Sequence, residues 1–260
     1  MPAVLLDERG FPGSSGRGLA PGQRRSPGQD PDRRHPAPRR LKGPMNPANG
    51  HHSDPSAGGG TAPLPFAAAV LAGGLSRRMG RDKARLPVGD GRTLLERQIE
   101  RLRALGPQEL FLSARDAGAY AEFGVPVLAD RFPGQGPLAG IQRVLEAMTA
   151  PLLVVLGVDL PAVEPELLGS LLAAAGPDRG VVPCRDGQPE PLVAVYPKAA
   201  EPVARRRLEV GENSARAFVE ACVREGHLRL WETPPTWEGC FVNWNRPEDL
   251  GRLPAGAGPR

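Results

Sequence analysis

From residue 66 onward the chain alternates between two kinds of apolar spacing. Phe66-Ala-Ala-Ala-Val-Leu71 and Pro151-Leu-Leu-Val-Val-Leu156 are short, nearly continuous apolar runs. That pattern belongs to strands buried on both faces of a parallel sheet. Between them, residues 93–105 place Leu95, Ile99, Leu102 and Leu105 at helical spacing and stop at Gly106-Pro107. The same reading gives strands at 109–113, 125–128, 181–183, 192–196, 227–231 and 239–242. Helices follow at 137–148, 164–174, 199–208 and 214–225, with a last one from Pro247. Strand and helix units in alternation imply an α/β fold with a mostly parallel sheet and helices on both faces. Ligands of such folds bind outside the carboxyl ends of the strands, so chemistry is expected there.

The first 64 of the 260 residues do not share this pattern. They hold 11 prolines and 11 glycines with arginine pairs at 24–25, 33–34 and 39–40. Such a segment buries too little apolar surface to offset its ordering entropy, so residues 1–64 are expected to be a disordered extension. Met45 is an alternative start. Residues 65–253 then form one domain, and 254–260 a flexible tail. The extension carries the chain's whole formal charge of +4, leaving the body neutral. The sequence pI near 9.3 therefore belongs to the extension, and a nucleic-acid partner is not expected. No apolar stretch suits a membrane span. Cys184, Cys222 and Cys240 are odd in number and lack a Cys-x-x-Cys spacing, which fits neither a disulfide framework nor a zinc site. The expected location is the cytoplasm.

Chemistry concentrates where the first strand ends. Leu71-Ala-Gly-Gly-Leu-Ser-Arg-Arg-Met-Gly-Arg-Asp-Lys83 joins paired glycines to Arg77, Arg78 and Lys83. Close backbone approach, exposed amides and clustered cations suit a polyphosphate anion. The spacing is neither Gly-x-x-x-x-Gly-Lys-Ser/Thr nor Gly-x-Gly-x-x-Gly. The strand at 151–156 runs into Gly157-Val-Asp-Leu-Pro161, putting Asp159 at a strand end. A lone carboxylate there suits Mg²⁺, and it equally suits the cap of a helix after Pro161. Gly136-Pro-Leu-Ala-Gly140 opens a helix, whose free amides suit an anion and whose proline is also an ordinary first-turn residue. Asn243 and Asn245 precede Pro247 and are also turn formers. No Ser-His or Cys-His arrangement is present, and His227 reads as structural.

The loop with its Asp-Lys-Ala ending resembles the signature of nucleotidyltransferases with a three-layer Rossmann-like fold, and most closely the molybdenum cofactor guanylyltransferases. The resemblance runs in order over residues 66–253. It implies transfer of GMP from GTP to the terminal phosphate of molybdenum-molybdopterin with release of pyrophosphate, using Mg²⁺. By residue, it implies a nucleotide site at Leu71, Ala72, Gly73, Lys83, Ser113, Asp130 and Asp159, with Lys83 and Asp159 catalytic and Asp159 the metal ligand. Arg77, Arg78, Gly136 and Gly140 become phosphate or substrate candidates, and Asn243 and Asn245 candidates near the pterin. Molybdoenzyme apoproteins and their chaperones would be the implied protein partners. Ser113-Ala-Arg115 departs from the family, which often has asparagine beside the guanine. The rival activities are a molybdopterin cytidylyltransferase and a sugar-phosphate nucleotidyltransferase, with a non-catalytic nucleotide-binding protein as the other class. Gly73 and Asp82 disfavour the cytidine enzymes, which usually carry Leu-Ala-Ala-Gly and Pro-Lys there.

Overall fold

The computed structural model describes residues 64–73, 82–88 and 90–244. Residues 1–63 of the extension, Arg77, Arg78, Asn245, the helix expected from Pro247 and the tail 254–260 lie outside the described residues. In chain order the described elements begin with β1 (Phe66–Leu71), a 3-10 turn (Lys83–Arg85), β2 (Pro87–Val88), β3 (Arg92–Thr93) and α1 (Leu94–Ala104). Next come β4 (Glu109–Ala114), a 3-10 turn (Ala121–Phe123), β5 (Val127–Ala129), α2 (Gly136–Ala147), β6 (Leu152–Gly157) and α3 (Pro165–Ala174). The second half holds β7 (Gly180–Arg185), β8 (Gln188–Pro189), β9 (Val193–Pro197), α4 (Glu201–Glu209), α5 (Ala215–Arg224), β10 (Leu228–Glu232) and a 3-10 helix (Pro235–Phe241).

Seven strands lie in the order β10-β7-β9-β6-β1-β4-β5, with short β8 paired to β7. β1 pairs in parallel with both β4 and β6, and β9 alone of the seven runs antiparallel to its neighbours β6 and β7. Strand alternation sorts the core into two halves. Phe66, Ala68 and Val70 of β1 pack with Leu95, Ile99 and Leu102 of α1 and Leu167 and Leu171 of α3. Ala67, Ala69 and Leu71 pack with Leu138 and Ile141 of α2, in a cluster that also takes Val203 of α4 and Phe218 of α5. The result is the expected three-layer Rossmann-like arrangement. Two-faced burial of the central strands is why β1 and β6 read as continuous apolar runs.

One predicted strand is absent. Residues 239–242 were expected to be extended, but Pro235–Phe241 is a 3-10 helix. Proline at its start has no N–H to give a sheet, and the turn instead brings Cys240 and Phe241 into the core on the α1 side. Among the described residues, no helix is long and apolar enough to cross a membrane.

Candidate active site

The sheet register sets four strand ends side by side. Leu71 at the end of β1 is opposite Ser113 of β4 and Gly157 of β6, and Ala114 of β4 is opposite Ala129 of β5. Backbone bonds carry the pairing past the strands. Ala72 N–H donates to the Ser113 carbonyl (2.9 Å), Val158 N–H to Leu71 (3.2 Å) and Asp130 N–H to Ala114 (3.2 Å). Leu71, Ala72, Gly73, Ser113, Asp130 and Asp159 therefore form one shelf at the carboxyl edge. His227 precedes β10 and so lies at the other edge, apart from this group.

Lys83 and Asp159, 76 residues apart in sequence, meet on the shelf. Lys83 Nζ lies 3.8 Å from Asp159 Oδ2, with the lysine side chain nearly buried. Its 3-10 turn has backbone bonds from Arg85 N–H to the Asp82 carbonyl (3.2 Å) and from Leu86 N–H to the Lys83 carbonyl (3.1 Å), and side chains cap it. Asp82 is the cap, accepting from Ala84 N–H (3.0 Å) and from the Tyr120 hydroxyl (3.0 Å). Arg85 donates to the same carboxylate (3.3 Å), pairs with Glu122 and lies over the Tyr120 ring. Burial, and then the Asp82 carboxylate, push the Tyr120 phenol up from its ordinary value, so it stays a donor at any physiological pH.

Asp159 does not cap a helix. The residue before α3 is Glu164, and the Asp159 carboxylate folds back over Gly157, where a β-carbon would sit 2.9 Å from Oδ1. Trp244 N–H donates to the Asp159 carbonyl (2.9 Å), which brings Asn243 beside the shelf. Next to it Arg185 lies over the Phe241 ring and pairs with Glu190. Among the described residues no cluster of three His, Cys, Asp or Glu could hold a metal. Asp159 is thus a single carboxylate, the donor set Mg²⁺ uses where phosphates and water supply its other ligands.

On the α2 side, Ser113 is buried and its hydroxyl donates to Asp130 Oδ1 (3.3 Å). Burial raises the Asp130 carboxyl above its ordinary range, against the Ser113 hydroxyl and the Arg115 charge. Gly140 has a packing role that its motif did not disclose: a β-carbon there would lie 2.3 Å from Ser113 Oγ. Gly136 is the first residue of α2, with φ 68°. A methyl on Gly73 would sit 3.6 Å from Asp130 Oδ2. Space permits it, but glycine leaves that oxygen uncovered.

Sequence reasoning missed Asp82 as a cap, Tyr120 as its anchor, Arg185, and the fully buried Gln98. Only Gln98 left a signal, as a polar residue inside the apolar stripe of α1.

Comparison with known proteins agrees with this geometry. Residues 68–227 match the MobA-like NTP transferase domain. A probable molybdenum cofactor guanylyltransferase of Opitutus terrae is 43% identical over 190 residues, covering 72% of this chain and 94% of the relative. A molybdenum cofactor guanylyltransferase of Shewanella sp. strain MR-4 is 34% identical, covering 74% and 96%. The crystal structure of molybdopterin-guanine dinucleotide biosynthesis protein A from Archaeoglobus fulgidus superposes with a TM-score of 0.57 at 25% identity, covering 71% and 94%. A cytidylyltransferase from Thermus thermophilus shares the fold at a TM-score of 0.52 and 23% identity, covering 70% and 94%. The fold alone thus leaves the base undecided, while sequence kinship over most of the domain decides the lineage. This chain belongs to the molybdenum cofactor guanylyltransferase family and is a nucleotidyltransferase.

Proposed function

We propose that the protein transfers GMP from GTP to the terminal phosphate of molybdenum-molybdopterin, releasing pyrophosphate, in the cytoplasm. The observation that carries this reading is the meeting of Lys83 and Asp159, 3.8 Å apart, at the carboxyl edge of the sheet. In the reaction an oxygen of the acceptor phosphate bonds to the α-phosphorus of GTP, and the bond from that phosphorus to the bridging oxygen of pyrophosphate breaks. A phosphate nucleophile is already ionised at neutral pH, so no side chain needs to remove its proton. Positioning and charge stabilisation do the work.

Lys83 holds the triphosphate, with Arg77 and Arg78 as further phosphate ligands. Asp159 fits a Mg²⁺ site as a single carboxylate at a strand end, and the ion when bound would neutralise charge on the phosphate oxygens. Ser113 and Asp130 offer adjacent acceptors for the N–H or O–H donors of the nucleoside, and the backbone of Leu71, Ala72 and Gly73 offers its amides and carbonyls. Gly136 and Gly140 open α2 beside them, Gly140 acting by close packing. Asn243, held beside Asp159 through Trp244, is a candidate contact to the acceptor, and Asn245 a further one by family resemblance. A cytoplasmic setting agrees with three buried, unbridged cysteines; burial pushes the Cys222 thiol up to about 12, which leaves it unreactive.

The test is turnover of GTP, ATP, CTP and UTP with molybdopterin, read as product mass. A site built on hydrogen bonds rejects bases that leave its polar groups unpaired, by roughly 10⁴-fold in favourable cases. Strong preference for GTP is expected. Comparable efficiency with CTP overturns the guanylyl assignment in favour of a cytidylyltransferase.

A further inference from the structure

Gln98 is a primary amide with no solvent exposure, on the face of α1 that otherwise presents Leu94, Leu95, Ile99 and Leu102 to the core. Burying an amide is costly unless its groups are bonded, and here they are. Its Nε2 donates to the Gly157 carbonyl (3.0 Å) and the Leu160 carbonyl (2.9 Å), while Oε1 accepts from Arg101 (3.1 Å). Arg101 in turn reaches Glu164 (3.4 Å) at the far end of the same loop. The two carbonyls bracket Asp159.

These bonds are not needed to satisfy the loop. The Gly157 carbonyl already accepts from Leu160 N–H (3.3 Å), and the Leu160 carbonyl from Val163 N–H (3.2 Å). A leucine of similar size would orphan neither, so a purely structural role predicts little loss from the change. What Gln98 adds is a fixed distance between the helix and the two residues that set where the Asp159 carboxylate points. We propose that Gln98 is a positioning residue that orients Asp159 for the metal ion, through the Gly157 and Leu160 carbonyls. This rests on the reading of Asp159 as the Mg²⁺ ligand.

The experiment uses the full chain with Gln98→Leu, Gln98→Glu and Asp159→Asn. Mn²⁺ binding is titrated by paramagnetic resonance in the presence of GTP without acceptor, and the Mg²⁺ dependence of turnover is measured beside it. Supporting groups around a metal ligand are worth about 10–100-fold in metal affinity or activity. Gln98→Leu is expected to raise the half-saturating Mn²⁺ and Mg²⁺ concentrations about tenfold, with the melting temperature and the GTP KM at saturating metal near wild type. Gln98→Glu, which sets an acceptor against two carbonyls, should do the same even if Gln98→Leu fails to fold. In the Asp159→Asn background neither change should reduce metal binding further. Wild-type metal response in the Gln98 variants, with a lost response in Asp159→Asn, overturns the positioning role alone. An unaltered metal response in Asp159→Asn overturns the assignment of Asp159 and the positioning role with it.

Discussion

The two charged groups that meet on the shelf are held in opposite ways. Asp159 stands on a loop whose backbone is tied down on several sides: Val158 to Leu71, Gly157 to Leu192, and the Asp159 carbonyl to the buried Trp244. Lys83 stands on a turn outside the sheet, capped by side chains through Asp82, the Tyr120 hydroxyl and the Arg85–Glu122 pair, with the buried Ala84 tucking it against the core. A carboxylate carried by core backbone can be displaced only by changes that reach the core. A lysine on a turn capped by side chains can be loosened by one hydroxyl, and the exposed Arg85–Glu122 pair beside it is open to salt. The anionic half of the site is rigid by packing, and the cationic half is rigid by capping.

The largest effects should come from the two groups themselves. Lys83→Ala and Asp159→Asn are each expected to lower kcat by about 10²–10³-fold, the scale for removing a group that stabilises transition-state charge. Their circular dichroism spectra should match wild type. Full rate in Asp159→Asn at ordinary Mg²⁺ would break the comparison, since the carboxylate would then be only a polar group on a loop.

Gly157→Ala should come next. The added methyl, 2.9 Å from Asp159 Oδ1 and 3.3 Å from Leu192 Cβ, must move one of them, and the carboxylate is the freer. A loss of about tenfold in kcat with a raised Mg²⁺ requirement is expected, on the scale of displaced metal-site support. An unchanged Mg²⁺ curve would show that the methyl is absorbed elsewhere.

Tyr120→Phe probes the capped half and should cost less. Losing one hydrogen bond to a charged group is worth about 1.5–3 kcal/mol when buried; Tyr120 is buried at a surface turn, so the low end is expected. GTP KM should rise several-fold while the Mg²⁺ dependence stays put. A shift in the Mg²⁺ curve would mean the two halves are coupled more tightly than their separate supports imply.

The smallest effects belong to the nucleoside side. Ser113→Ala should lower the preference for GTP only modestly. Asp130→Asn carries a sign of its own. Burial raises the folded-state pKa of Asp130 above its ordinary 3.8, so the folded protein binds that proton more readily than the unfolded chain. Its contribution is most favourable at low pH and is lost as pH rises through the raised value. The asparagine variant should therefore melt slightly higher than wild type at neutral pH, the gain vanishing in acid, while binding GTP less tightly.

Much of this was legible in the sequence because it rests on local signals. Apolar runs marked β1 and β6, helical spacing marked α1, and the string ending in Lys83 and the Asp159 strand end pointed to the candidate site. What was not legible depends on long-range geometry. Nothing about Val193–Pro197 states its direction, because a buried strand reads alike either way. Tyr120 belongs to no periodic element, and its hydroxyl bond reaches back to Asp82 across three strands and a helix. Gln98 bonds to backbone carbonyls, which carry no residue signature. Residues 239–242 misled because hydrophobicity was read as extension, when Pro235 had already set a turn.

The place of β1 in the sheet also governs how the enzyme comes into being. It comes first among the described strands, yet its two neighbours are β4 and β6, so a nascent polypeptide must wait for residues 152–157 before this strand is enclosed. Pairing across such separations is slow, because chain closure comes before the contacts that reward it. Until β6 docks, Lys83 has no Asp159 to face, and a ribosome-bound fragment ending before it has no working shelf. Nucleotide can therefore favour only the finished fold, and GTP should act on this protein as a late stabiliser of the native state and not as a template for its early assembly.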